Sequence, residues 1–198
     1  MSSNDFLIND IFHTFQGEGL NWGKRALFIR MPYCNLKCSW CDTEFNSFKR
    51  YEKFELLDIM DSERTRFAVI TGGEPMMNKQ TPNVIKELKS RGFVIATETN
   101  GTYPIVDGID FVTLSPKKDA QYKVHDDAFK KAHEFKYVVD EDFDFEILKR
   151  HNVFDGRRYS LSPEFNNFEK QVKVIQDFII DNPHWRLNLQ THKWIGIK

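Results

Sequence analysis

Along the chain, short runs of apolar and β-branched residues alternate with segments whose apolar positions recur every three or four residues. The first pattern predicts strands at 26–31, 67–71, 93–97, 111–115, 135–139, 157–162 and 186–190. The second predicts helices between them. In 82–91, Val84, Ile85 and Leu88 share a face, Thr81 is placed to cap the helix, Pro82 suits its first turn and Gly92 its stop. In 167–181, Phe168, Val172, Ile175 and Ile179 recur at helical spacing ahead of Pro183, and 127–133 and 143–151 are expected to be helical as well. Repeated strand, helix, strand order implies parallel pairing through right-handed crossovers, hence an α/β fold, either a barrel or an open sheet. No repeat and no Pro/Gly/Ser linker divides the chain, so 1–198 is expected to form a single domain.

The same pattern places polar residues. TGGEP (71–75), ETNGT (98–102), SPK (115–117), SPE (162–164) and QTHK (190–193) each follow a predicted strand. The C-terminal ends of parallel strands lie on one face, the face that carries the site in such folds. Five clusters in register therefore predict one pocket for a small molecule.

Composition narrows the partner further. With 28 Lys+Arg against 29 Asp+Glu, the net charge of −1 leaves no basic excess for a nucleic acid or an anionic membrane. Eighteen Phe within 14% aromatic residues exclude a disordered chain. The opening MSSNDFLINDIF breaks every apolar pair with Asn or Asp, and no later stretch approaches ~18 uncharged apolar residues, so neither a signal peptide nor a membrane span is expected and the location is expected to be cytoplasmic.

The three cysteines stand at 34, 38 and 41, close together rather than spread in pairs, which suits reduced thiolates poised for metal better than disulfides. Three thiolates spaced C-x3-C-x2-C can ligate three corners of an iron–sulfur cube and leave the fourth iron open. Two other arrangements remain: a structural zinc knot, for which the nearest histidine, His13, lies on a different segment, and a metal-free core loop, which Asn35, Lys37 and Asp42 suit poorly.

The spacing, with Trp40 directly before the third cysteine, resembles the radical S-adenosylmethionine superfamily, and GGEP at 72–75 resembles its second motif. FQGEG (15–19), Arg30, CDT (41–43), ITGGEP (70–75), ETNGT, SPK and the closing WRLNLQTHKWIGIK (185–198) narrow the likeness to the 7-carboxy-7-deazaguanine synthases, from about residue 6 onward. That resemblance implies a partial, open TIM-like (β/α) barrel of the radical S-adenosylmethionine type. It also implies radical contraction of 6-carboxy-5,6,7,8-tetrahydropterin with loss of ammonia, in queuosine and deazapurine biosynthesis.

Carried over residue by residue, the resemblance has Cys34, Cys38 and Cys41 hold a 4Fe-4S cluster whose open iron takes the amino and carboxylate groups of S-adenosylmethionine. Trp40, Cys41, Asp42, Gly73, Ser115, Pro116, Lys117, Ser160, Leu161, Ser162 and Pro163 would line the S-adenosylmethionine site, with Glu74 accepting from its ammonium. Phe15, Gln16, Gly17, Arg30 and Thr71 would surround the pterin, His192 and the terminal carboxylate of Lys198 would complete that pocket, and Thr43 would ligate Mg²⁺. Arg30 offers a bidentate fork for a carboxylate, and Gln16 can both donate and accept. No further side chain is expected to be catalytic beyond the cluster and cofactor.

The implied partners are the pterin, a reductant such as flavodoxin or ferredoxin, and a second copy in a homodimer, with no nucleic acid and no membrane. The sequence departs from the family in three places, one being Met31, Pro32 and Tyr33, which are bulkier than expected before Cys34. Only 29 residues (43–71) run from Thr43 through Thr71, so part of the barrel is expected to be trimmed, and Ser162 stands where relatives tend to carry Gln. A glycyl-radical activating enzyme shares the triplet but needs a peptide groove and often extra cysteines. A non-catalytic metal module would not require five polar strand ends.

Overall fold

The structure, a computed structural model, describes residues 5–151 and 155–198, so the first four residues of the MSSNDFLINDIF stretch lie outside the described residues. Among the described residues, ten strands and five α-helices follow one another as β1 (Phe6–Ile8), β2 (Asp10–Phe15), β3 (Arg25–Met31), β4 (Lys49–Tyr51), α1 (Lys53–Ser62), β5 (Phe67–Gly72), α2 (Thr81–Ser90), β6 (Val94–Thr99), β7 (Phe111–Leu114), α3 (Asp126–Lys131), β8 (Glu134–Val139), β9 (Arg158–Pro163), α4 (Phe168–Asp181), β10 (Trp185–Leu187) and α5 (Thr191–Trp194). Eight strands form one sheet in the order β10-β9-β8-β7-β6-β5-β3-β2. Every pair is parallel except β2 with β3. β1 and β4 make a separate antiparallel pair.

Strand alternation divides the side chains by chemistry. One face carries Leu27, Ile29, Met31, Ala68, Ile70 and Ile95, packed with Leu56 and Met60 of α1 and Val84, Ile85 and Leu88 of α2. The same face continues through Val112, Leu114, Phe135, Tyr137, Tyr159 and Leu161 against Ala128 of α3 and Ile175 of α4. Full burial of such a side chain stabilises by about 1.5–3 kcal/mol, so this apolar face fixes the register. The opposite face carries a smaller apolar cluster of Ala26, Phe28, Phe67, Val69 and Ala96, and beside it polar residues. The register sets Arg30 beside Thr71, Glu98 beside Thr113, Thr113 beside Glu134 and Lys136 beside Ser160.

The sheet does not close, since β2 and β10 are its two edges. Loops bridge the gap instead. The Thr191 backbone N–H and hydroxyl both donate to the Gly17 carbonyl (3.1 and 2.8 Å), Trp22 Nε1 donates to Thr191 Oγ1 (2.8 Å), and the Gly19 N–H donates to Asn188 Oδ1 (2.7 Å). Thus the open, partial barrel expected from the resemblance is present, floored by residues 16–22. No helix among the described residues is long and apolar enough to cross a membrane.

All seven expected strands are present, six within two residues of their expected bounds, while the strand expected at 186–190 is β10, Trp185–Leu187, and stops three residues early. Three helical details differ. Thr81 does not cap α2 but opens it, because its hydroxyl donates to the Pro75 carbonyl (2.6 Å) and Gln80 takes the cap position. The expected helix at 127–133 is α3, Asp126–Lys131. The segment 143–151 forms a 3-10 turn, Phe145–Arg150, in which Phe145 and Leu148 face the core three residues apart, the period at which a 3-10 helix aligns side chains.

Candidate active site

The cysteine loop starts where β3 ends. Tyr33 sits at φ 70°, a conformation uncommon outside glycine, held because its N–H donates to the Phe45 carbonyl (2.7 Å) and its carbonyl accepts from the Glu74 N–H (2.8 Å). Gly72, which ends β5, and Gly73, which follows it, permit this close approach. A Cβ on Gly73 would lie 2.0 Å from the Tyr33 carbonyl oxygen, and one on Gly72 2.1 Å from that of Met31. GGEP therefore seats the cysteine loop against the sheet, with backbone against backbone.

Glu74 is fully buried and does not line the cavity. Its Oε1 accepts from the Met76 N–H (2.9 Å) and the Thr99 hydroxyl (2.7 Å), and its Oε2 from the Asn100 N–H (2.7 Å). Burial raises its pKa against those bonds. The carboxylate ties the loops after β5 and β6 together.

Cys34, Cys38 and Cys41 all border one cavity of about 260 Å³. Burial raises the pKa of Cys34 and pushes Cys38 up to about 11 against the pull of Lys117, so these thiols are protonated until a metal displaces the proton. The donor set fits an iron–sulfur cluster held at three corners. Among the described residues no group of three His, Cys, Asp or Glu forms a closed ion site, and a structural zinc requires a fourth ligand that the loop lacks.

The same cavity collects most of the expected residues. Near the cysteines, Trp40, Asp42 and Gly73 form its wall, and Lys117 Nζ stands 4.8 Å over the Trp40 ring while donating to Ser115 Oγ (2.6 Å). Burial lowers the Lys117 pKa, and nearby Lys136 adds to that. Arg30 Nη1 donates to Thr43 Oγ1 (3.1 Å), with Phe12 beneath the guanidinium at 5.6 Å. Phe15, Gln16, Gly17 and Thr71 line the opposite side with His192 and Lys198. A Cβ on Gly17 would lie 2.4 Å from His192 Nδ1, so only glycine lets that ring approach, and burial lowers the ring's pKa. Lys198 pairs with Asp10, and Lys193 of α5 pairs with Asp42 of the cysteine loop.

Some expected residues lie elsewhere. Ser160 Oγ donates to Glu134 Oε1 (2.8 Å), Ser162 Oγ accepts from Asn188 Nδ2 (2.6 Å), Leu161 sits in the core, and Pro163 and Pro116 are buried away from the cavity lining. Others were not anticipated. Lys136 Nζ lies 2.8 Å from Glu18 Oε2 and 2.9 Å from Glu98 Oε2, and Gln16 Nε2 donates to Glu98 Oε1 (3.1 Å). Glu18 also accepts from Gln190 Nε2 (3.1 Å). Burial pushes the Glu18 carboxyl up, but Lys136 outweighs it and holds the pKa at about 2. Glu98 is raised by burial, which the like charge of Glu18 reinforces and Lys136 only partly offsets. Burial opposes the charge on Lys136, yet the two carboxylates raise its pKa. One sequence signal pointed here: Lys136 and Glu98 are charges at inward positions of strands otherwise built for a core.

Comparison with known proteins places this geometry. The radical SAM superfamily pattern matches residues 28–140. The chain is 33% identical over 202 residues to the 7-carboxy-7-deazaguanine synthase of Haemophilus influenzae, covering 98% of this chain and 95% of the relative. To that of Synechocystis sp. it is 35% identical, covering 96% and 93%. The fold superposes on the crystal structure of QueE from Escherichia coli with a TM-score of 0.77 at 26% identity over 93% of both chains. It shares its fold alone with Streptococcus suis SuiB bound to S-adenosylmethionine, at a TM-score of 0.51 and 16% identity over 82% of this chain and 48% of that one.

Proposed function

The chain belongs to the radical SAM superfamily and, within it, to the 7-carboxy-7-deazaguanine synthases, and from that premise we propose how one cavity serves cofactor and substrate together. It is a radical S-adenosylmethionine lyase that makes 7-carboxy-7-deazaguanine from 6-carboxy-5,6,7,8-tetrahydropterin, with loss of ammonia. The observation that carries the assignment is that the three cysteines and the Arg30 to Thr43 pair open into the same cavity.

Cys34, Cys38 and Cys41 would hold the 4Fe-4S cluster, which with S-adenosylmethionine supplies, when bound, the carbon radical that initiates ring contraction. Trp40, Asp42, Gly73, Ser115 and Lys117 surround the space beside the cysteines and would seat the S-adenosylmethionine. Glu74, Pro116 and Ser160 through Pro163 act from behind that wall, holding its loops in place rather than touching the cofactor.

On the other side, Arg30 presents a fork for the pterin carboxylate, and Gln16 with Glu98 offers a donor and acceptors matched to the edge of a pterin ring. Burial and the like charge of Glu18 raise the Glu98 pKa, and the Lys136 ammonium beside it opposes that rise. His192, pressed against Gly17, Thr71 and Lys198 close the pterin side. Holding both molecules in one shared cavity keeps the reacting carbon adjacent to the source of the radical.

Thr43 supports a weak magnesium site. Its hydroxyl already accepts from Arg30 and donates to Asp42 Oδ1 (3.4 Å), so an ion there would draw its other ligands from the substrate carboxylate and water, as Mg²⁺ commonly does. The proposal also includes a flavodoxin- or ferredoxin-like electron donor approaching exposed Cys41, a homodimer, cytoplasmic location and one domain over 1–198.

Anaerobic incubation with 6-carboxy-5,6,7,8-tetrahydropterin, S-adenosylmethionine and reductant, followed by mass spectrometry, tests the assignment. The expected result is 7-carboxy-7-deazaguanine and ammonia. A protein with its cluster intact that cleaves S-adenosylmethionine yet leaves the pterin unchanged would overturn it.

A further inference from the structure

Behind the floor loop lies a second cavity of about 290 Å³, separated from the first by residues 17–22 and 188–191. Arg158 and Arg186 both border it. Arg186 pairs in register with Ser160, two positions along β9 from Arg158, so both guanidinium stems rise from the same sheet face. Among the described residues neither guanidinium has a carboxylate within ion-pair distance or a hydrogen-bond partner. The one carboxylate in the wall, Glu134, is fully buried and already accepts from the Leu20 N–H (2.8 Å), Ser160 Oγ (2.8 Å) and Thr113 Oγ1 (3.5 Å).

Trp22 completes the cavity. The residue is 63% exposed, while the one polar atom of its side chain, Nε1, is committed to Thr191 Oγ1 at 2.8 Å. A fixed, exposed indole face beside two unpaired guanidinium forks matches a flat ring that carries an anionic group. The ring would stack on the indole and the forks would take paired oxygens. We propose that this second cavity is a binding site for a planar heteroaromatic anion. An acidic electron donor fits it poorly, because Arg158 opens β9 whereas the cysteine loop follows the end of β3, at the opposite ends of parallel strands.

The chemistry has two sources, a ring carboxylate such as the enzyme's own product or the phosphate of a purine nucleotide. Only the first rests on the function proposed above. The test is anaerobic fluorescence titration of the holoenzyme with 7-carboxy-7-deazaguanine in one arm and guanosine 5′-monophosphate in the other. The signal is the difference between wild type and Trp22→Phe, which cancels binding in the first cavity and absorption by the probe.

Saturable quenching specific to Trp22 is expected with at least one probe, and the arm that gives it identifies the source. In Arg158→Ala/Arg186→Ala the apparent dissociation constant should rise at least ten-fold, with the initial rate of turnover unchanged. Arg158→Lys/Arg186→Lys, which keeps charge but loses the forks, should also weaken binding and serves if the alanine pair folds poorly. No Trp22-specific signal with either probe, or a signal indifferent to both arginine pairs, would overturn the site. A failure of the proposed function would show instead as absent turnover, leaving the nucleotide arm interpretable.

Discussion

Lys136 neutralises two carboxylates that the fold has taken out of water, and its removal should be costly. Lys136→Met leaves Glu18 and Glu98 facing each other without a cation, and breaking such a buried set costs about 3–5 kcal/mol, measurable by urea unfolding. Glu18 also gives the stability a pH dependence. Its folded pKa of about 2 lies below the ordinary 4.5, so its contribution is present above pH 4.5 and is lost as pH falls from there towards 2. Glu18→Gln should therefore flatten the acid limb, by up to about 1.4 kcal/mol per pH unit, in unfolding curves compared across that window. At Arg30, the Lys substitution keeps charge but loses the fork. Losing one charge-assisted bond, about 1.5–3 kcal/mol, should lower product turnover roughly ten- to hundred-fold while iron content and uncoupled S-adenosylmethionine cleavage hold. The cysteines and Arg30 were legible because short motifs carry them. Glu18, Glu98 and Gln190 stand in quoted motifs too, but their convergence on Lys136 was not legible, since the four come from separate segments that only the folded chain brings together.

At the level of elements, what the chain spelled out plainly was the parallel strands, whose β-branched runs are buried on their helix-facing side. The elements it hid are short or weakly patterned. β1 has only three residues, β2 and β4 lie at or beyond the edge of the sheet with mixed polarity, and α1 buries only Leu56 and Met60 and starts on Glu52 instead of a usual capping residue, using a reciprocal Glu52 and Glu55 box. Motif letters likewise do not state which way a side chain turns, and Glu74 turns inward. The junction of β5 with the cysteine loop gives the sharpest element-scale prediction. Gly73→Ala places a methyl 2.0 Å from the Tyr33 carbonyl and must push Cys34 out of line. After anaerobic reconstitution, iron should fall well below the about four atoms expected of a full cluster. Gly92→Ala, where a Cβ meets open space though φ is 74°, should keep its iron and lose about 1–2 kcal/mol of stability.

For the whole molecule, the decisive feature is the gap between β2 and β10 and the loop contacts that span it. Thr191→Val removes the hydroxyl that links Gly17 to Trp22 while leaving the backbone bond. Hydrogen exchange should then quicken at Gly19 and Thr191 before it does in the helix-packed strands, and an unchanged exchange map would show the bridge to be held by the backbone alone. The partners in that bridge stand 169 to 174 residues apart along the chain. Contacts so distant in sequence are slow to find one another, because a long loop must be closed before they are rewarded. On a ribosome, the strands and their apolar face can assemble as each βα unit emerges, yet the pterin side of the cavity has no floor until residues 188–192 arrive. Folding and substrate competence should therefore separate in time, with a nascent chain already structured around its core and still unable to hold the pterin.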